Sequence, residues 1–165
     1  MYVRAAMIKQ YLLKKMKVVI LCGGQGTRLN EETEFKPKPL VEVGGMPILW
    51  HIMKIYSHYG HKEFILPLGY KGELIKEYFV NFNWRANDFT LDTSSKNMVV
   101  HENHQNEDWQ IHFVDTGLKT KTALRLKKVQ HLLEDDSFML TYGDAVSDID
   151  INRLLNFHNH EKKIS

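Results

Sequence analysis

A run of apolar residues that opens into a glycine-rich loop is the feature that most constrains how this chain can fold. Residues 17–22 are predicted as a strand, and Val18 to Leu21 are all apolar. Such a continuous run is typical of a parallel strand that is covered on both faces. The loop that follows reads CGGQGTRL. Because ligands bind beyond the carboxyl ends of parallel strands, a glycine loop at this point predicts a ligand site.

Strand and helix patterns alternate along the rest of the chain. Apolar periodicity predicts helices over residues 47–59, 72–82, 122–133 and 151–160, and further strands over residues 63–68 and 137–142. This alternation favours an α/β fold with a mostly parallel sheet flanked by helices.

Two regions depart from this simple alternation. Short strand patterns over residues 89–91, 98–101 and 110–114 are separated by polar turns, and they predict a short antiparallel insert. Pro37 and Pro39 predict that residues 36–40 are extended and non-helical, because proline cannot continue a helix.

Charge and composition exclude several classes of protein. The net charge of +2 includes four cations in residues 1–15, where there is no acidic residue, so residues 16–165 carry −2. The chain is therefore not predicted to bind nucleic acid by bulk charge. No apolar run approaches the ~20 residues of a membrane span. The single cysteine rules out an internal disulfide framework and suits a reducing compartment such as the cytoplasm. Residues 1–15 are expected to form a basic leader outside a single domain of residues 16–165.

The glycine loop has the composition of an anion site. Glycines allow successive backbone N–H groups to turn toward one ligand, Thr27 adds a hydroxyl, and Arg28 adds a charged fork that suits phosphate. The loop lacks the G-x-x-x-x-G-K-[ST] pattern of a P-loop. It also lacks the dinucleotide fingerprint, because Leu29 stands where the third glycine is required. We predict that it binds a polyphosphate, and a plain tight turn is the alternative.

Two further motifs carry charges that suit a phosphate site. In Lys36-Pro37-Lys38-Pro39, prolines stiffen the backbone from which a lysine projects, although a solvated surface loop would look the same. Asp144 follows the predicted strand over residues 137–142, and a carboxylate there suits Mg²⁺. A Gly-Asp pair is also common in ordinary turns, so this motif is weak alone.

The motifs LCGGQGTRL, KPKPLVEVGGMPILWHIM, VDTG and TYGD, in this order, resemble those of the sugar-1-phosphate nucleotidyltransferases. Together with PILWHIMKIYSHYG and GYKGELIKEYF, they most resemble the glucose-1-phosphate cytidylyltransferases. The resemblance runs from Met16 to the last residue. It implies a Rossmann-like nucleotidyltransferase fold, CTP and glucose 1-phosphate as substrates, CDP-glucose and pyrophosphate as products, Mg²⁺ as cofactor, and a homo-oligomer.

The resemblance also implies roles for individual residues. By matching motif, Arg28, Lys38 and Asp144 would be catalytic, and Asp144 would hold Mg²⁺. The implied substrate-binding residues are Leu21, Cys22, Gly23, Gly24, Gln25, Gly26, Thr27, Arg28, Lys38, Thr120, Arg125 and Gly143.

Two departures from the family pattern leave alternatives open. Close relatives carry Thr-Gly-Gly-Arg-Leu where this chain has Thr122-Ala123-Leu124-Arg125-Leu126. The chain also ends where the family continues, so the fold is expected to be incomplete at its carboxyl terminus, without the family's second metal-binding aspartate. The alternatives are a nucleotidyltransferase for another base or sugar, and a nucleotide-binding fragment without catalytic activity.

The remaining residues have simpler interpretations. Cys22, at a strand end, is predicted to be packed in the interior. Leu124 and Leu126 belong to an apolar stripe that is predicted to face the core. His58 and His61 are interpreted as solvated side chains.

Overall fold

The computed structural model describes residues 15–24, 36–101, 107–133 and 137–161 of the chain. A parallel sheet lies at its centre and is built from β1 (Val18–Leu21), β4 (Glu63–Leu68), β7 (Gln110–Asp115) and β8 (Met139–Tyr142). The strands lie side by side in the order β7-β4-β1-β8, and every neighbouring pair is parallel. All four carboxyl ends therefore meet at one edge of the sheet.

Helices and two small hairpins complete the described fold. The helices are α1 (Ile48–His58), α2 (Gly72–Val80), α3 (Phe82–Ala86), α4 (Thr122–Val129) and α5 (Ile151–Glu161). One antiparallel pair joins β2 (Glu42–Val43) to β3 (Met46–Pro47), and the other joins β5 (Asp88–Asp92) to β6 (Asn97–His101). None of the helices that the structure describes has the length and apolarity needed to cross a membrane.

The sheet is covered on both faces. On one face, Val18 and Ile20 of β1 and alternate residues of β4 pack against buried side chains of α1 and α2, among them Leu49 and Ile75. On the opposite face, Val19 and Ile65 pack against Val129 of α4. This two-sided burial explains the continuous apolar run in β1 and confirms the predicted α/β fold.

The prediction for residues 110–114 is wrong in direction. They belong to β7, which runs parallel to β4 with Phe64 opposite Ile111 and Leu66 opposite Phe113. Only β5 and β6 form the predicted antiparallel insert. β7 lies at the edge of the sheet, where its two end residues are exposed and residues 111–114 are half-buried, so it lacks the continuous apolar run of a fully buried parallel strand.

The prediction for residues 36–40 is also wrong. Pro37 is extended, but Lys38–Leu40 form a 3₁₀ turn in which the Leu40 N–H donates to the Pro37 carbonyl oxygen at 2.8 Å. Proline is compatible with the first turn of a helix, because the N–H that it lacks would have no partner there. Pro37, Pro39 and Leu40 are buried, so the segment is anchored in the core rather than solvated.

Two predicted helices extend too far along the chain. The helix predicted over residues 72–82 ends at Val80, and α3 follows it after Asn81. The helix predicted over residues 122–133 ends at Val129 and continues as a 3₁₀ turn. Leu124 is 49% exposed, so its prediction as a core residue is wrong.

His61 is buried, which contradicts its interpretation as solvated. Only 4% of the residue is exposed, and its Nδ1 accepts a hydrogen bond from the Met16 N–H at 3.1 Å. This bond ties the segment that enters β1 to the segment that enters β4. Burial lowers the pKa of His61, and the bond from Met16 is the smaller, opposing influence.

We expect the free energy of unfolding to fall as the pH drops from about 7 to about 5, in part because of His61. A histidine with a lowered pKa is neutral in the folded chain at a pH where the unfolded chain already takes up a proton. Its contribution to stability is therefore complete above the pKa of the unfolded chain and is lost as the pH falls toward the folded pKa. Chemical denaturation at several pH values measures the effect.

The variant His61→Asn isolates this contribution. Its amide oxygen can replace Nδ1 as the acceptor for Met16, and it does not titrate, so the dependence on pH should weaken. His58→Asn removes a histidine that is exposed on α1 and controls for the loss of a ring. An unchanged dependence on pH in His61→Asn would contradict the prediction.

Candidate functional site

A cleft of about 890 Å³ opens at the carboxyl edge of the sheet. It is bordered by the ends of β1 and β8, the Lys38–Leu40 turn, the loop before α4 and the first turn of α4. The described residues that line it are Leu21, Cys22, Gly23, Gly24, Lys38, Pro39, Leu118, Lys119, Thr120, Lys121, Thr122, Ala123, Arg125, Tyr142 and Asp144.

Most of the described residues that the sequence predicted for a site lie in or beside this cleft. Lys38 and Asp144 form a pair across it, with 3.8 Å between Nζ and Oδ2, and both side chains are partly exposed. The predicted residues of β1 and its loop as far as Gly24, together with Thr120 and Arg125, share the cleft. Predicted residues Gln25, Gly26, Thr27 and Arg28 lie outside the described residues.

Gly143 explains how Lys38 comes close to Asp144. A Cβ atom at this glycine would lie 2.9 Å from Sγ of Cys22 and 3.3 Å from Cγ of Pro39. Its N–H donates to the Leu21 carbonyl oxygen at 3.1 Å, which continues the β1–β8 ladder. The absence of a side chain therefore allows β1, β8 and the proline turn to pack together beneath the cleft.

Cys22 contributes packing rather than chemistry to the cleft. The residue is 1% exposed, as the sequence predicted. Burial raises the pKa of its thiol, and the negative charge of Asp144 raises it further. The thiol therefore stays protonated at neutral pH and cannot act as a nucleophile, since the thiolate is the reactive form.

Arg125 is the main buried charge beside the cleft, with only 5% of the residue exposed. Its Nη2 donates to the carbonyl oxygens of Gly23 at 2.8 Å and Leu118 at 3.3 Å. Its Nη1 donates to the carbonyl oxygen of Leu68 at 2.8 Å and to the hydroxyl oxygen of Thr116. Burial lowers the pKa of Arg125, and the carboxylate of Asp115 acts in the opposite direction. The resemblance implied a nucleotide contact for this residue, which stays a prediction, and the structure adds these four bonds to protein acceptors.

Two glycines make room for this guanidinium. A Cβ atom at Gly23 would lie 2.2 Å from Cζ of Arg125, and one at Gly69 would lie 2.7 Å from Nη2. Neither glycine has a positive φ. Gly23 is therefore needed for space, which is a reason that the sequence pattern did not reveal.

Sequence reasoning missed two lysines of the cleft. Lys119 and Lys121 are exposed and line it together with Lys38 and Arg125, whereas Asp144 is the only carboxylate among the described lining residues. The alternating lysines of LKTKT, directly after VDTG, were the available signal. The first turn of α4 also borders the cleft without a capping side chain and adds partial positive charge. The cleft therefore favours an anion.

The donor set of the cleft fits a divalent cation that is shared with an anionic ligand. Within the described ranges, no three His, Cys, Asp or Glu side chains cluster as a metal cage. Asp144 provides the only carboxylate among the described residues that line the cleft. Mg²⁺ commonly takes one or two carboxylates together with phosphate oxygens and waters.

The chain is similar to known proteins in sequence and in structure. The sequence matches the nucleotidyl transferase family over residues 17–165. It is 52% identical over 143 residues to a probable glucose-1-phosphate cytidylyltransferase of Bacillus subtilis, covering 87% of this chain and 56% of that protein. It is 51% identical over 150 residues to the glucose-1-phosphate cytidylyltransferase of Salmonella typhimurium, covering 90% of this chain and 58% of that protein.

Among solved structures, HddC from Yersinia pseudotuberculosis, complexed with GMP-PN, aligns with a TM-score of 0.63. The alignment covers 87% of this chain and 54% of HddC at 24% identity, which shows a shared fold. The chain thus spans little more than half the length of each of these three proteins.

We expect Gly23→Ala to lower the free energy of unfolding by about 1–3 kcal/mol, because the new methyl group must displace a buried guanidinium. In the background of Arg125→Ala, the same substitution should cost less than about 1 kcal/mol, because the three nearest atoms to the new Cβ all belong to Arg125. Chemical denaturation of the two single variants and the double variant measures this coupling.

Gly69→Ala is the matched control for this cycle. Its nearest obstacle is the backbone carbonyl oxygen of Gly23, at 2.6 Å, which remains after Arg125 is removed. Arg125→Ala should therefore reduce the destabilisation caused by Gly23→Ala more than it reduces the destabilisation caused by Gly69→Ala. An equal reduction at both glycines would show that the guanidinium does not limit the space at Gly23.

Proposed function

The chain belongs to the nucleotidyl transferase family, and on this basis we propose that it transfers CMP from CTP to glucose 1-phosphate. The products would be CDP-glucose and pyrophosphate. The observation that carries the proposal is the cleft where Lys38 and Asp144 lie 3.8 Å apart beside the start of the glycine loop. The identity of about half to the two cytidylyltransferases supports the choice of base and sugar.

The reaction is an in-line displacement at phosphorus. A phosphate oxygen of glucose 1-phosphate forms a bond to the α-phosphorus of CTP, and the bond from that phosphorus to the bridging oxygen of pyrophosphate breaks. The second pKa of a phosphate monoester is about 6, so the attacking oxygen is largely ionised at neutral pH and needs no general base. The barrier lies in joining two anions, which positioned cations and N–H groups reduce.

The residues of the cleft suit this task. Lys38 stands on an anchored turn, so its ammonium group would offset charge where the two phosphates meet. The exposed lysines Lys119 and Lys121 would raise the local concentration of anionic substrate. Arg28 and the glycine loop would bind the β- and γ-phosphates, in keeping with the motif. A homo-oligomer is part of the same proposal.

Asp144 would hold Mg²⁺ together with the phosphate oxygens of the nucleotide. When bound, the ion supplies charge neutralisation at the phosphates. The position of Asp144 beside Lys38 lets the two side chains act on neighbouring phosphate oxygens.

We expect the chain to bind CTP more tightly than ATP, GTP or UTP in the presence of Mg²⁺. Calorimetric titration with the four nucleotides measures the preference. Production of labelled CDP-glucose from CTP and glucose 1-phosphate then tests the transfer itself. Equal affinity for all four nucleotides would refute the assignment of cytosine.

Substitution of the two lysines of the KPKP motif, one at a time, tests whether the cleft binds CTP. Lys38→Met removes a cation that lines the cleft, and we expect it to weaken CTP binding by about tenfold, as for a lost charge-assisted bond. Lys36→Met is the control, because Lys36 is exposed and pairs with Glu42 at 2.8 Å instead. Similar losses in both variants would argue against the cleft.

We expect Asp144→Asn to abolish the Mg²⁺ dependence of CTP binding. The amide keeps the shape of the side chain and removes the charge that attracts the ion. Its thermal unfolding should change little, since the carboxylate is partly exposed and its described ion pair with Lys38 is long. Mg²⁺ titrations with and without CTP compare the two proteins, and an identical dependence would show that Asp144 is only a turn residue.

A further inference from the structure

The bonds of Arg125 connect the ends of three neighbouring strands. Gly23 follows β1, Leu68 ends β4, and Thr116 follows β7, and each gives Arg125 an acceptor. A single side chain from α4 therefore spans the carboxyl edge of the sheet from β7 to β1. Such a link fixes the distance between the glycine loop and the loop that carries the two cleft lysines.

We infer that Arg125 is a positioning residue that aims the Gly24 N–H at bound phosphate. This inference rests on the proposed function, because it assumes that a nucleotide occupies the cleft. It differs from a direct nucleotide contact, since Arg125 would act through the backbone of the glycine loop.

Peptide geometry supplies the central step of the argument. The peptide group between Gly23 and Gly24 is planar and trans, so its carbonyl oxygen and its N–H point in opposite directions. The carbonyl oxygen is held by Nη2 of Arg125 at 2.8 Å. The Gly24 N–H must then point away from the guanidinium.

The surroundings of Gly24 suit a donor that waits for a ligand. Gly24 is exposed and lines the cleft, and a Cβ atom there would meet nothing within 4 Å. Across the described ranges, no backbone acceptor pairs with its N–H. A backbone donor fixed in advance beside cationic side chains can bind a phosphate oxygen without reorganising.

The guanidinium cannot easily adopt another arrangement. It is buried, and a buried charge is stable only when its hydrogen bonds are satisfied. The positions of Gly23 and Gly69 leave the space that it fills. If Arg125 is removed, the Gly23 carbonyl oxygen loses its described partner, and the peptide is free to rotate.

Arg125→Met tests the inference, with CTP and inorganic tripolyphosphate as the two probes. We expect the affinity for both to fall by the same factor of about tenfold, as for one lost bond to a charged group. The two affinities should fall together, because the Gly24 N–H would bind a phosphate group in either probe. In the ¹⁵N-labelled free protein, the Gly24 amide resonance should shift or broaden before any ligand is added.

Two further variants make the result decisive. Lys128→Met removes another cation of α4 that bonds the carbonyl oxygen of Thr116, at 2.7 Å, but does not line the cleft. It should leave both affinities and the Gly24 resonance close to those of the wild type. Arg125→Lys keeps the charge and protects the fold, yet it should restore little affinity, because one ammonium group cannot replace two separate guanidinium nitrogens.

The outcomes separate the two proposals. A loss of CTP affinity alone, with tripolyphosphate binding and the Gly24 resonance unchanged, would mean a direct contact to the nucleoside and would overturn the inference. Full recovery in Arg125→Lys, or failure of the wild type to bind tripolyphosphate, would also overturn it. A wild type that binds tripolyphosphate but does not prefer CTP would refute the proposed base, while the tripolyphosphate measurements would still test Arg125.

Discussion

A buried guanidinium with several carbonyl acceptors is the interaction on which the cleft depends. Burial of the charged Arg125 side chain removes a large solvation free energy. Only a set of well-placed hydrogen-bond acceptors offsets this loss. The acceptors belong to segments that are far apart in sequence, at Gly23, Leu68 and Leu118. The requirement to satisfy one cation therefore draws separate strand ends into a single arrangement.

The other side of the cleft depends on close packing rather than on charge. Gly143 lets the backbone after β8 approach Cys22 and Pro39, and the neighbouring residues Lys38 and Asp144 are thereby brought to 3.8 Å from each other. Leu40 is buried in the core. The turn that carries Lys38 is therefore anchored and cannot move out into solvent. A cationic and an anionic group are thus held at the edge of the sheet, where both line the same cleft.

The sequence predicted most of the fold because the main sheet is buried on both faces. The apolar run of β1 reflects burial of the whole strand, and the helical periodicity of α1 reflects one buried face, so both patterns are unambiguous. β7 was misjudged because an edge strand has a mixed environment. His61 and Leu124 were misjudged because their burial depends on which segment packs over them, and residues 16 and 61 are far apart in sequence and meet only in the folded chain.

The sequence by itself determined the class of fold, and it predicted candidate residues for a phosphate site: a glycine loop after the first strand, a lysine between prolines and an aspartate after a later strand. These are local signals, since each depends on residue type and on position relative to one element. Only the tertiary structure decided that Gly23 provides space for Arg125, that Lys119 and Lys121 border the same cleft, and that Lys36 does not. The physical reason is that steric space and the pairing of buried charge depend on atoms from distant segments, which the order of residues does not bring together until the chain folds.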